Sequence, residues 1–161
     1  MSGRSVALLA VVGIPTLLYF GAPLGERNVY RSRMYAQETA ALKALQTLNT
    51  AQVQYNSQFG RYARSLAELG PPASGVDNAS AANLIPADLA AGEGHGYRFT
   101  LTGTPQGYSI QGAPTVFGST GSRTFYTDQS LILRENYGPQ PATASSKEVG
   151  KWRRGARRQS A

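Results

Sequence analysis

Ala41-Leu42-Lys43-Ala44-Leu45-Gln46-Thr47-Leu48-Asn49-Thr50-Ala51-Gln52-Val53-Gln54-Tyr55-Asn56-Ser57-Gln58-Phe59-Gly60 is the stretch that decides the fold. Ala41, Leu45, Leu48, Gln52, Tyr55 and Phe59 recur at steps of four and three, the spacing that lines up side chains on one face of an α-helix. Leu42 and Val53 lie beside this stripe, and Lys43, Gln46, Thr47, Asn49 and Gln54 make the expected polar outer face. Gly60 supplies a terminator, and no proline falls between Val29 and Gly70. An amphipathic helix is therefore expected over residues 28–58. Its apolar stripe requires a second layer to bury against.

Toward the N-terminus, residues 5–25 read SVALLAVVGIPTLLYFGAPLG, without one charge. That run matches the roughly 20 apolar residues that cross a hydrocarbon core of about 30 Å. It exceeds the apolar region of about 7–15 residues found in a cleaved signal peptide, and no Ala-x-Ala site follows it. The expectation is a single-pass membrane protein with a transmembrane helix in residues 1–27. Its membrane and assembly residues would be Val6, Leu8, Leu9, Val11, Val12, Ile14, Leu17, Leu18 and Phe20. Gly13, Pro15, Gly21 and Pro23 are expected to kink it.

Toward the C-terminus, residues 59–94 read as a loop region. It holds a short SLAEL turn of helix, then Gly70-Pro71-Pro72, then a second short helix over Pro86–Ala91. Strand signals follow within 95–135: Tyr97–Leu101 and Tyr108–Gln111 as a hairpin, then Arg123–Thr127, then Leu131–Arg134. One amphipathic helix and about four antiparallel strands give an α+β fold in which the sheet covers the helix stripe.

The chain of 161 residues has 18 Gly, 9 Pro, no Cys and one His, with a formal charge of +7. One such chain supplies a single modest core. The lack of Cys excludes a disulfide scaffold, a thiolate metal site and a Cys nucleophile. Most of the charge lies at the end, where Lys147, Lys151, Arg153, Arg154, Arg157 and Arg158 face only Glu148. Residues 137–161 are read as a disordered basic tail. It is either an inert solvated extension or an electrostatic anchor for anionic lipid or nucleic acid.

Several segments together resemble a known family. Arg31-Ser32-Arg33-Met34, Leu45-Gln46-Thr47-Leu48-Asn49-Thr50-Ala51-Gln52, Tyr55 and Phe59-Gly60 are similar to the helix of bacterial type IV pilin-like proteins and type II secretion pseudopilins. Leu69-Gly70-Pro71-Pro72, Gly96-Tyr97-Arg98-Phe99, Gly107-Tyr108 and Arg123-Thr124-Phe125-Tyr126-Thr127-Asp128 resemble the family's head segments. The likeness covers about residues 31–136. It implies a filament subunit that assembles through its hydrophobic helix with copies of itself and other pilin-like subunits. It also implies an inner-membrane protein with an extracytoplasmic head, or a cell-surface filament. The N-terminus departs from the family pattern: the early Gly3 is followed by Arg4 and Ser5, and no acid occurs before Glu26. An alternative is a membrane-anchored binding module that does not polymerise and touches anionic lipid or nucleic acid through its tail.

Catalytic signatures are sparse, and neither an enzyme, a cofactor nor a small-molecule substrate is expected. His95 sits in Gly94-His95-Gly96, a turn context. Asp77, Asp88, Glu93 and Asp128 are too scattered in sequence for a convincing calcium cage. Asp128 reads as a turn cap. Tyr97, Tyr108, Phe125 and Tyr126 read as core and cross-strand packing in preference to a stacking platform for single strands.

Overall fold

The computed structural model of the chain describes residues 24–104 and 106–150. Helix α1 (Leu24–Phe59) is followed by the one-turn helices α2 (Leu66–Leu69) and α3 (Ala87–Ala90). Six strands come next: β1 (Glu93–Gly94), β2 (Tyr97–Thr104), β3 (Gly107–Pro114), β4 (Arg123–Asp128), β5 (Arg134–Tyr137) and β6 (Lys147–Glu148). They form one antiparallel sheet in the order β1-β2-β3-β4-β5-β6, so each strand pairs with its sequence neighbour. The class is α+β.

The stripe of α1 lies against this sheet. Ala41, Leu45, Leu48, Gln52 and Tyr55 are fully buried, and Phe59 is half-buried at the end of the helix. Gly60 closes α1 at φ +68°, a left-handed conformation that glycine adopts without strain. Alternation sets the sheet's inner face. Tyr97, Phe99 and Leu101 of β2 point in and Arg98, Thr100 and Thr102 point out, while Tyr108 and Ile110 of β3 and Phe125 of β4 complete the layer. The Tyr97 and Phe125 rings stack with centroids 5.6 Å apart. Gly121 is required beside them, because a Cβ there would collide with the Tyr97 phenol that donates to the Arg123 carbonyl at 2.9 Å.

Below the helix end, the Tyr55 hydroxyl donates to the Glu68 carboxylate at 3.0 Å, which also accepts from Arg61 at 2.8 Å. Burial alone would raise the Glu68 carboxyl, but hydrogen bonds from Arg61, the Arg64 N–H and Tyr55 outweigh it and hold it below the usual range.

Four expectations are corrected. The expected transmembrane helix, and with it the single-pass membrane protein, is corrected as far as the described residues reach. The long helix α1 carries Glu26, Arg27, Arg31, Arg33, Glu38 and Lys43, and no helix among the described residues is long and apolar enough to cross a membrane. The residues assigned to that span, Val6, Leu8, Leu9, Val11, Val12, Ile14, Leu17, Leu18 and Phe20, lie outside the described residues.

The sheet has six strands where about four were expected. The extra two are the short edges β1 and β6.

The strand expected over Leu131–Arg134 begins only at Arg134. Asp128 holds the turn open longer: its carboxylate accepts from the Ser130 N–H and hydroxyl, and its carbonyl accepts from the Leu131 N–H. Leu131 is left exposed at φ +62°.

Finally, residues 137–149 are part of the fold. The Thr124 hydroxyl and the Asn136 amide both donate to the Gln140 carbonyl, Ala142 is fully buried, and the Val149 N–H bonds to the Leu133 carbonyl at 2.9 Å. A composition rich in Pro, Ala and Ser suggested no core contacts, yet the free edge of β5 supplies the backbone partners that order it.

Candidate functional site

The first half of α1 meets β4 and β5 through charge. Arg123 places Nε at 2.8 Å and Nη2 at 2.7 Å from the Glu38 carboxylate, and Nη1 at 2.7 Å from that of Glu135. The three side chains are only 13%, 6% and 8% exposed. Glu38 also accepts the Ser122 N–H at 2.8 Å and its hydroxyl at 2.9 Å. Burial by itself would lower the Arg123 guanidinium, but its hydrogen bonds to both carboxylates outweigh this and raise it further above its ordinary range. The arginine is a fixed cation, and the triad carries one net negative charge.

A groove of about 600 Å³ opens over this triad. Tyr35 and Leu42 of α1 form one wall, and Tyr137 forms the other, with Val149 and Gly150 at the end. Tyr35 and Tyr137 are 66% and 69% exposed, and the Arg123 guanidinium lies 5.7 Å from the Tyr137 ring centre. The arrangement suits binding: it offers apolar walls, aromatic faces and a weakly negative floor, and its charged groups are locked in mutual pairs.

About three to four turns beyond Glu38 along α1 the polar contacts are neutral. The Asn49 amide donates to the Thr127 hydroxyl at 2.9 Å and accepts from the Tyr108 hydroxyl at 3.0 Å. Gln52 exchanges two hydrogen bonds with the Ala63 backbone, at 3.0 and 2.9 Å. Burial pushes the Tyr108 phenol well above its ordinary value, as it does that of Tyr97. Every buried side-chain nitrogen and oxygen among the described residues has a partner.

The structure distributes the sequence candidates unevenly. The stripe from Ala41 to Tyr55 lies in the core, while Asn49, expected on the polar outer face, is buried. Lys147 lies in β6, and Lys151, Arg153, Arg154, Arg157 and Arg158 fall outside the described residues. Tyr97, Tyr108 and Phe125 are buried and Tyr126 is half-buried on the other face. His95 is exposed in the β1–β2 turn at φ +54°. Among the described residues no three His, Asp or Glu side chains gather in a group that could hold a metal ion. Sequence reasoning missed the triad, although Glu38 precedes Ala41 by three residues and so continues the stripe register. Asn49, four after Leu45 and three before Gln52, carried the same signal.

No protein-family model matches the chain, and no curated protein or solved structure is significantly similar to it.

Proposed function

We propose that this protein is a structural subunit of a filament of the type IV pilus or type II secretion pseudopilus kind. It assembles through its apolar N-terminal segment and the first turns of α1, with the α+β head at the surface of a cell-surface fibre. The observation that carries the reading is the uneven cover of α1. From Ala41 onward the stripe is buried by the sheet, whereas Val29 and Tyr30, at the other end, remain 55% and 52% exposed. Arg31, Ser32 and Arg33 are exposed beside them. A helix that is buried by the sheet along one part and half-open at Val29 and Tyr30, where only the Tyr30 hydroxyl reaches across to Ser119 at 2.8 Å, suits packing against other subunits.

The order of segments quoted above for the family, from Arg31 to Asn136, supports the same reading. The partners are then copies of this chain and related subunits.

Electron microscopy of cells producing the full chain tests this. Regular fibres that carry the protein are expected, lost on deletion of residues 5–25 and reduced by Val29→Glu. A protein that stays monomeric and forms no fibre at any expression level overturns the reading. A second reading rests on the clustered Lys147, Lys151, Arg153, Arg154, Arg157 and Arg158. It is a binding module that does not polymerise and whose tail contacts anionic lipid or nucleic acid. Salt-sensitive binding to anionic vesicles or single strands, without fibres, selects it.

A further inference from the structure

We propose that the groove over the Glu38–Arg123–Glu135 triad is the docking site for the chain's own segment Lys151–Arg154, with Trp152 as its anchor. Three observations fix the occupant. The first is position: Gly150, the last described residue, itself lines the groove, so the segment is tethered at the groove's own wall. A segment tethered there faces the groove at an effective concentration on the order of millimolar, whereas a separate partner must be supplied from solution. Gly150 has φ +81°, in the left-handed region that glycine adopts without strain.

The second is chemistry. The walls are Leu42, Val149 and two tyrosines whose rings are largely uncovered, an aromatic slot of the kind that takes an indole. The sequence that enters is Lys151-Trp152-Arg153-Arg154, and Trp152 is the chain's single tryptophan. The third is charge. The floor holds two carboxylates against one guanidinium, and the segment brings three cations next to it. The guanidinium groups of Arg153 and Arg154 match the exposed faces of Tyr35 and Tyr137. An acidic or neutral apolar segment lacks this match. The inference does not depend on filament assembly, since it concerns one head and its own end.

Because Trp152 is unique, the tryptophan emission of the full chain reports on this segment alone. Its emission is expected to be blue-shifted, and its acrylamide quenching several-fold weaker, relative to a peptide of residues 147–161. Tyr35→Ser and Tyr137→Ser replace exposed side chains, so the fold should persist, as circular dichroism will verify. Each should shift the emission toward that of the peptide, and the double variant should reach it. A wild-type spectrum equal to the peptide's overturns the proposal. So does a blue shift that both tyrosine variants leave in place, which would put Trp152 on another surface. A blue shift that vanishes on dilution overturns docking within one chain and assigns the groove to the segment of a second copy.

Discussion

Two polar contacts hold α1 to its sheet, and they solve the same problem by different means. Near the start of the buried face, Glu38 and Glu135 clamp Arg123 at 2.7 Å each, beneath an open groove. About three to four turns on, Asn49 satisfies Tyr108 and Thr127, and Gln52 the Ala63 backbone, without a formal charge. Burying a neutral amide needs only matched hydrogen bonds, whereas burying an ion also needs a counter-ion at hand. The neutral contact therefore sits inside the core among Leu48, Tyr108 and Ile110, and the ionic one lies at its margin. What separates them is sensitivity: loss of one partner leaves an unpaired dipole in the first case and an unpaired charge in the second.

The largest break in the comparison is Arg123→Met. It strands two buried carboxylates, and chemical denaturation should show a loss of about 3–5 kcal/mol. Adding Glu38→Gln and Glu135→Gln to that variant should restore a large part of it, because the residual groups are then neutral. Asn49→Ala attacks the neutral contact, removing partners from Tyr108 and Thr127, and should cost about 1–3 kcal/mol by the same measurement.

An alkaline titration sharpens the contrast. The Tyr97 and Tyr108 phenols are raised by burial, so in the folded state they keep their protons above the ordinary tyrosine value of about 10. The unfolded chain releases them there and binds fewer protons, so stability must fall as pH rises past about 10. Tyr108→Phe removes one of these groups and should flatten that decline, at the expense of its bond to Asn49. The smallest effect is expected at Lys43→Glu, on the exposed face of α1, within about 0.5 kcal/mol in a thermal melt. An effect there as large as at Arg123 would mean that the buried and exposed faces of α1 are wrongly drawn.

Much of the fold was legible because burial imposes a period. The steps of four and three from Ala41 to Phe59 gave the helix and its inner face, and the alternation Tyr97-Phe99-Leu101 gave β2. The short helices after Ser65 and Pro86 were readable from their local punctuation. The triad was less visible. An acid in a stripe register reads as a break in the pattern until its partner is known, and Arg123 and Glu135 stand 85 and 97 positions away from Glu38. The ordering of residues 137–149 was also hidden, because it depends on a vacant edge of β5 that no local composition announces. The groove shares this origin: Tyr35, Tyr137 and Gly150 are brought together only by the completed sheet.

The shortness of β1 and β6 has a consequence for how the sheet meets other chains. The sheet ends on both sides in strands of two residues, Glu93–Gly94 and Lys147–Glu148, each carrying charge. An edge so brief and so charged offers an incoming chain almost no row of free amides and carbonyls to template on. Strand addition, the usual route from a β-rich domain to amyloid-like stacking, finds little to build on along β1 and β6 themselves, which cover Tyr97–Arg98 of β2 and Arg134–Glu135 of β5.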